Sequence, residues 1–191
     1  MSLILLSGPA VEPITLAEAK AHMRVDGTAE DALIASLIIT SRLHIEAALG
    51  LALITQSWAL RLDAWPKGGI VIMPIRPVQS VQSVRVTNAD DTLTTIEPTR
   101  YLLDGASLPP RLLPTASPLP DPGVRAQGIE IAFTAGYGAS AASVSHPIRQ
   151  AILLLVAHWF ECRTPVFVGH SATRLPDIVS ALLAPYRMPR L

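Results

Sequence analysis

Helical spacing occupies the two ends of this chain, and between them residues 53–135 carry short β-branched runs cut by proline and glycine. Helices, then strands, then helices exclude the βαβ alternation of a parallel, doubly wound sheet. The order predicts an α+β fold, in which N-terminal and C-terminal helices form a helical body with a β-rich insertion. Thr15 with Glu18 makes a capping box, the hydroxyl accepting from a first-turn amide while the carboxylate reaches back. It predicts a short helix over 16–24, ended by Gly27. Thr28 with Asp31 reads as a second box, and Leu33, Leu37, Ile38, Ile45 and Leu49 follow at helical spacing, so a long helix is expected over 28–49. Gly50 suits its C-terminal stop. Arg42 and Glu46 lie four apart on another face, close enough to interact.

Near Leu53 the period changes to two. Gln56, Trp58, Leu60 and Leu62 alternate, Ile70–Met73 and Val81–Val86 are β-branched, and Asn88–Asp91 reads as a turn from which 92–96 returns. Residues 105–124 hold six prolines, Pro109, Pro110, Pro114, Pro118, Pro120 and Pro122. That density predicts loop or extended chain and no central strand. Ile129–Phe133 is again a strand, closed by Gly136-Tyr137-Gly138. Pro147 suits a first helical turn, the helix runs to Phe160 and Pro165 ends it. Pro176 and Asp177 begin a short helix through Leu183, stopped by Pro185. The expected plan is an extended N-terminal arm over 1–12, one domain over 13–175 (helical at 13–52 and 147–165, β-rich at 53–135) and a C-terminal arm over 176–191.

Of the 191 residues, 50% are hydrophobic and 16% charged, against about 25% charged in an ordinary domain. This excludes an intrinsically disordered chain. Charge this scarce leaves two readings: surface covered by other copies, or a large core with bland loops. The formal net charge of +0 argues against strong non-specific nucleic-acid binding, which needs a basic footprint. The charge is uneven: residues 1–60 carry 3 basic and 6 acidic groups, and residues 141–191 carry 5 and 2. Opposite poles suit polar stacking. Only Lys20 and Lys67 are lysines among 15 basic residues; arginine is favoured at interfaces, and GC-rich coding gives the same bias. A lone Cys162 makes an internal disulfide impossible and fits a reducing compartment. No basic leader and no apolar run of about 18 residues is apparent, so a soluble chain without a membrane association is expected.

The search for chemistry yields little. His158 and Cys162 share a helix face, yet zinc needs three or four ligands and no second pair has matching spacing. A Cys162 nucleophile would need His158 or His170 as base, and no flanking motif supports it. Gly169-His170-Ser171 does not complete a nucleophile elbow, because Thr173 stands where glycine belongs. Gly136-Tyr137-Gly138 reads as a turn needing positive φ, and Asp90-Asp91 as solvated. Trp58, Trp65 and Trp159 read as core or interface anchors. No catalytic, metal or cofactor site is expected.

A set of motifs carries a resemblance. Pro13-Ile14-Thr15-Leu16-Ala17-Glu18-Ala19-Lys20-Ala21-His22-Met23-Arg24-Val25-Asp26, then Glu30-Asp31-Ala32-Leu33-Ile34, resembles the opening of tailed-phage head-to-tail connector proteins, also called adaptors or head-completion proteins. Thr55-Gln56-Ser57-Trp58, Arg76-Pro77-Val78 with Ser80-Val81, Phe133-Thr134-Ala135-Gly136-Tyr137-Gly138 and His158-Trp159 follow in the family's order, so the likeness covers about 13–165. With the Ala-Pro-Tyr-Arg ending, it looks most similar to the adaptors of alphaproteobacterial gene transfer agents, phage-like particles that carry host DNA. The resemblance implies a structural protein without catalysis, assembled in the bacterial cytoplasm into the particle neck. It implies a ring of about twelve copies beneath the portal protein, extending the DNA channel and docking the stopper or tail-completion protein. A C-terminal portal-gripping arm is implied over 176–191, with Asp177, Tyr186, Arg187, Met188, Arg190 and Leu191 as its contacts. Arg42 and Glu46 are the expected inter-subunit residues on the long helix, with Leu37 in the core. The alternative is a DNA-contacting packaging accessory.

Overall fold

The computed structural model describes residues 1–115, 118–162 and 177–188. It contains helices and antiparallel sheets, an α+β chain, in two compact units. One unit comprises Met1–Ala10 and Gly50–Tyr137, the other Val11–Leu49 and Gly138–Leu191. The β unit is therefore not one inserted stretch: the chain's first ten residues belong to it.

In the β unit, β1 (Ser2–Ser7), β2 (Gln56–Leu62), β4 (Val78–Thr87), β5 (Leu93–Ile96) and β8 (Ile129–Ala135) form a five-stranded sheet in the order β1-β2-β8-β4-β5. The segment expected as an N-terminal arm is thus an edge strand, pairing Leu3 with Leu60 and Ile4 with Ala59. The Arg76-Pro77-Val78 motif leads directly into β4. Asn88–Asp91 makes the expected turn, with Asp91 at φ 61° and the Asp90 carboxylate accepting from the Thr92 amide at 3.1 Å.

A second sheet holds β3 (Val71–Ile72), β6 (Tyr101–Asp104) and β7 (Arg111–Pro114) in the order β3-β7-β6. Here the proline argument fails, for β7 lies in the middle. Pro110 precedes the strand and Pro114 is its last residue, so Arg111, Leu112 and Leu113 keep their amides for the ladder. Proline density marked the strand's ends, not its interior. Leu112, Val71, Val84, Ile131 and Phe133 join one hydrophobic cluster to which both sheets contribute.

The helical unit consists of α1 (Leu16–Met23), α2 (Asp31–Leu49), α3 (His146–Glu161) and α4 (Asp177–Leu183) among the described residues. The first capping box forms as expected: the Glu18 amide donates to Thr15 Oγ1 at 3.2 Å, and the Thr15 amide donates to Glu18 Oε2 at 2.8 Å. The second does not. Lys20 Nζ takes the Asp31 carboxylate at 2.6 Å and also donates to the Gly27 carbonyl. With Asp31 engaged by Lys20, α2 begins at Asp31, three residues later than expected. α2 packs on α1 and α3, and α4 packs on α3. Ile34, Ile38, Ile45, Ile148, Ile152 and Leu155 are buried here.

Candidate functional site

α2 is apolar all round, so its sequence leaves open which side faces inward. The structure decides it. Ile34, Ile38, Ser41, Arg42, Ile45, Glu46 and Leu49 are buried, and Leu37 is half-buried. Arg42 is 6% exposed and Glu46 8%. Arg42 Nη1 donates to Glu46 Oε2 at 2.7 Å, and Arg42 Nε donates to Glu12 Oε2 at 2.7 Å. Burial works against the guanidinium charge, but the hydrogen bond to Glu12 and the fields of Glu46 and Glu12 outweigh it and raise the Arg42 pKa. The spacing-based expectation of an Arg42–Glu46 pair holds. Its location is corrected: the pair is buried inside the helical unit and offers no charged face to a neighbour.

The outward side of α2 is the reverse. Ala32, Leu33, Ala35, Ser36, Ile39, Thr40, Leu43, His44, Ala47 and Ala48 are exposed and include no acidic, lysine or arginine residue. Leu33 is 36% exposed, Ile39 42% and Leu43 52%. Ile39 and Leu43, four apart, share one face, and Leu33 lies farther round the same broad exposed side. At its margin, the His44 ring meets Trp159 of α3 edge-on, with centroids 5.8 Å apart. By length and composition alone α2 could cross a membrane, with 19 residues and a mean hydropathy of 1.5. Its inner side, however, already covers α1 and α3.

A second polar link ties α1 to α3. Glu18, already held by Thr15, also accepts from Arg149 Nη2. The Thr15 amide first, with the Thr15 hydroxyl and Arg149, holds the Glu18 carboxyl below its usual range against the opposing effect of burial. In the β unit, Ser107 and then Arg111 do the same for Asp104, whose Oδ2 lies 2.7 Å from Arg111 Nη2.

The C-terminal residues separate into two groups. Asp177 opens α4, whose Val179 and Leu183 are buried. A 3-10 turn, Ala184–Tyr186, follows, and the Tyr186 hydroxyl lies 2.7 Å from Ser145 Oγ. The stretch from Asp177 to Tyr186 is therefore laid against the helical unit. Arg187 and Met188 follow, exposed. Arg190 and Leu191 lie outside the described residues.

The Cys162 amide donates to the His158 carbonyl at 3.0 Å as a helix cap. His170 and the 169–173 motif lie outside the described residues, among which no three His, Cys, Asp or Glu side chains cluster as metal ligands. Gly136 sits at φ 137°, where a Cβ would lie 2.6 Å from the Ile54 carbonyl oxygen, so this glycine serves a tight turn. Trp65 donates its indole N–H to the Pro120 carbonyl at 2.9 Å.

The sequence missed the apolar outer face of α2. The available signal was that residues 32–49 contain only two charges, already paired by spacing.

The family model for head completion proteins matches residues 12–189. A search of curated protein sequences finds no match. Among solved structures, a chain from the neck of an empty gene transfer agent particle, treated with C6 symmetry, aligns with a TM-score of 0.85 and 30% identity, covering 100% of this chain and 97% of that one. A chain from the virion of a native gene transfer agent particle gives 0.81 and 30% over the same shares. One from the native neck, treated with C12 symmetry, gives 0.81 and 29%, again over 100% and 97%. The family match over residues 12–189 and these full-length likenesses together give the conclusion: the chain belongs to the head completion protein family and is a structural head-to-tail connector protein.

Proposed function

We propose that the chain works in the neck of a phage-like gene transfer particle as a ring of identical subunits seated on the portal. There it extends the DNA channel and receives the stopper and tail. The observation that carries this reading is the end-to-end likeness to a chain in necks treated with C6 and C12 symmetry. Copies related by such an axis meet through two different faces, so each subunit needs two unlike contact surfaces. Scarce charge supports buried subunit faces.

The portal contact is assigned to the last residues. Asp177 and Tyr186 belong to the segment folded on the helical unit. The gripping part therefore narrows to Arg187, Met188, Arg190 and Leu191, two cations and two apolar side chains suited to acidic and apolar clefts.

Light scattering on the purified chain, alone and mixed with its portal ring, tests this. A stoichiometric complex is expected, and deleting 187–191 should abolish it while α4 stays in place. A chain that ignores the portal at every concentration would overturn the reading. Salt-dependent DNA binding by such a chain would point instead to a packaging accessory.

A further inference from the structure

We propose that the outward face of α2, built on Leu33, Ile39 and Leu43, is the lateral contact between neighbouring copies of this chain. The inference deepens the ring reading and rests on it.

The first argument is the inverted charge placement. A surface helix of a globular protein ordinarily turns its charges to water. In α2 the opposite holds beyond its first residue: Arg42 and Glu46 are turned inward and neutralised there, while the exposed side carries Ala, Leu, Ile, Ser, Thr and a single His. Within α2 itself no lysine or glutamate is exposed beside this stripe to hold a like surface off. The second argument concerns what covers it. The matching chains come from necks with rotational symmetry, so copies of one chain surround the axis, and the occupant is a second copy. The third is that a ring contact is heterologous. A stripe of Ala, Ser and Thr interleaved with Leu and Ile lets another element approach closely without demanding a charge partner. Within the same unit, Val11 and Ile178 are further exposed large apolar side chains outside α2 and the portal-gripping end, available to an unlike face on the next copy.

The test uses the full chain with its portal ring. Leu43→Asp and Ile39→Asp are compared with the natural sequence and with Leu102→Asp, an exposed apolar position of the β unit. Copy number is read by light scattering and negative-stain imaging, and folding by circular dichroism and thermal melting. The α2 variants are expected to keep their helicity and melting temperature and to require at least tenfold more protein to form rings. Leu102→Asp should assemble normally. Should either aspartate variant lose its fold, Leu43→Gln and Ile39→Gln together provide the same reading without a charge. Rings of Leu43→Asp at the natural concentration would overturn the face assignment while leaving the ring reading intact. A natural chain forming no ring even on its portal would end both. Flotation of the natural chain with neutral phosphatidylcholine vesicles, lost in Leu43→Asp, would assign the face to lipid and overturn the proposal.

Discussion

Arg42 carries its charge on a helix side that water barely reaches, so its two carboxylates determine what its loss would cost. Removing one partner of a buried ion pair leaves the other charge uncompensated, at about 3–5 kcal/mol. Arg42→Ala should therefore lower unfolding stability by about 3 kcal/mol in urea titration, take a cation away from Glu46 and Glu12, and act on folding before assembly. A combined Arg42→Met, Glu46→Leu variant should recover most of that loss, since apolar residues of similar volume replace buried pairs well. The spacing of Arg42 and Glu46 made their pairing readable from sequence. Their direction was not readable, because apolar residues occur on every side of α2 and no polar stripe marks the outside. The same ambiguity put Leu37 in the expected core, where it is only half-buried and Ile38 takes that place.

Among the elements, α1 shows how local rules succeed. Its capping box was written in four residues, and all of its hydrogen bonds form. Thr15→Ala should cost about 1 kcal/mol by thermal or chemical unfolding. Glu18 links the box to pH. Its folded carboxyl titrates below the ordinary value, so its contribution is full above that value, near pH 4.3, and fades as pH falls through the folded one. Thr15→Ala and Glu18→Gln should each flatten the acid limb of a melting-temperature profile; an unchanged limb in Glu18→Gln would refute this. Ile38→Ala, in the core side of α2, should cost about 2–5 kcal/mol. Elements governed by distant partners were less legible. α2 starts at Asp31, and Asp31, the expected box partner of Thr28, is held instead by Lys20, eleven residues away. β7 became a central strand because β3 and β6 flank it, a pairing that no local window reveals.

For the whole molecule, the α+β class and the connector family were legible because motif order survives in sequence. The division into units was not, since it depends on where the first residues go. β1 lies at the edge of the five-stranded sheet, beside β2 with its buried Ala59, Leu60 and Leu62. Deleting residues 1–10 should expose β2 as a new edge and lower solubility, measured as the soluble fraction after expression. The placement of β1 also bears on synthesis. Ser2–Ser7 leaves the ribosome before the rest of its sheet, for its partner β2 begins at Gln56 and the sheet's middle strand β8 ends at Ala135. At translation speeds of about 5–20 residues per second, the apolar leading segment waits roughly 3–10 s for its neighbour. The helical unit waits longer, because α4 follows every described strand in the chain. The β unit cannot close before Ala135 is made, nor the helical unit before α4, so the surfaces a growing particle meets are completed late in synthesis.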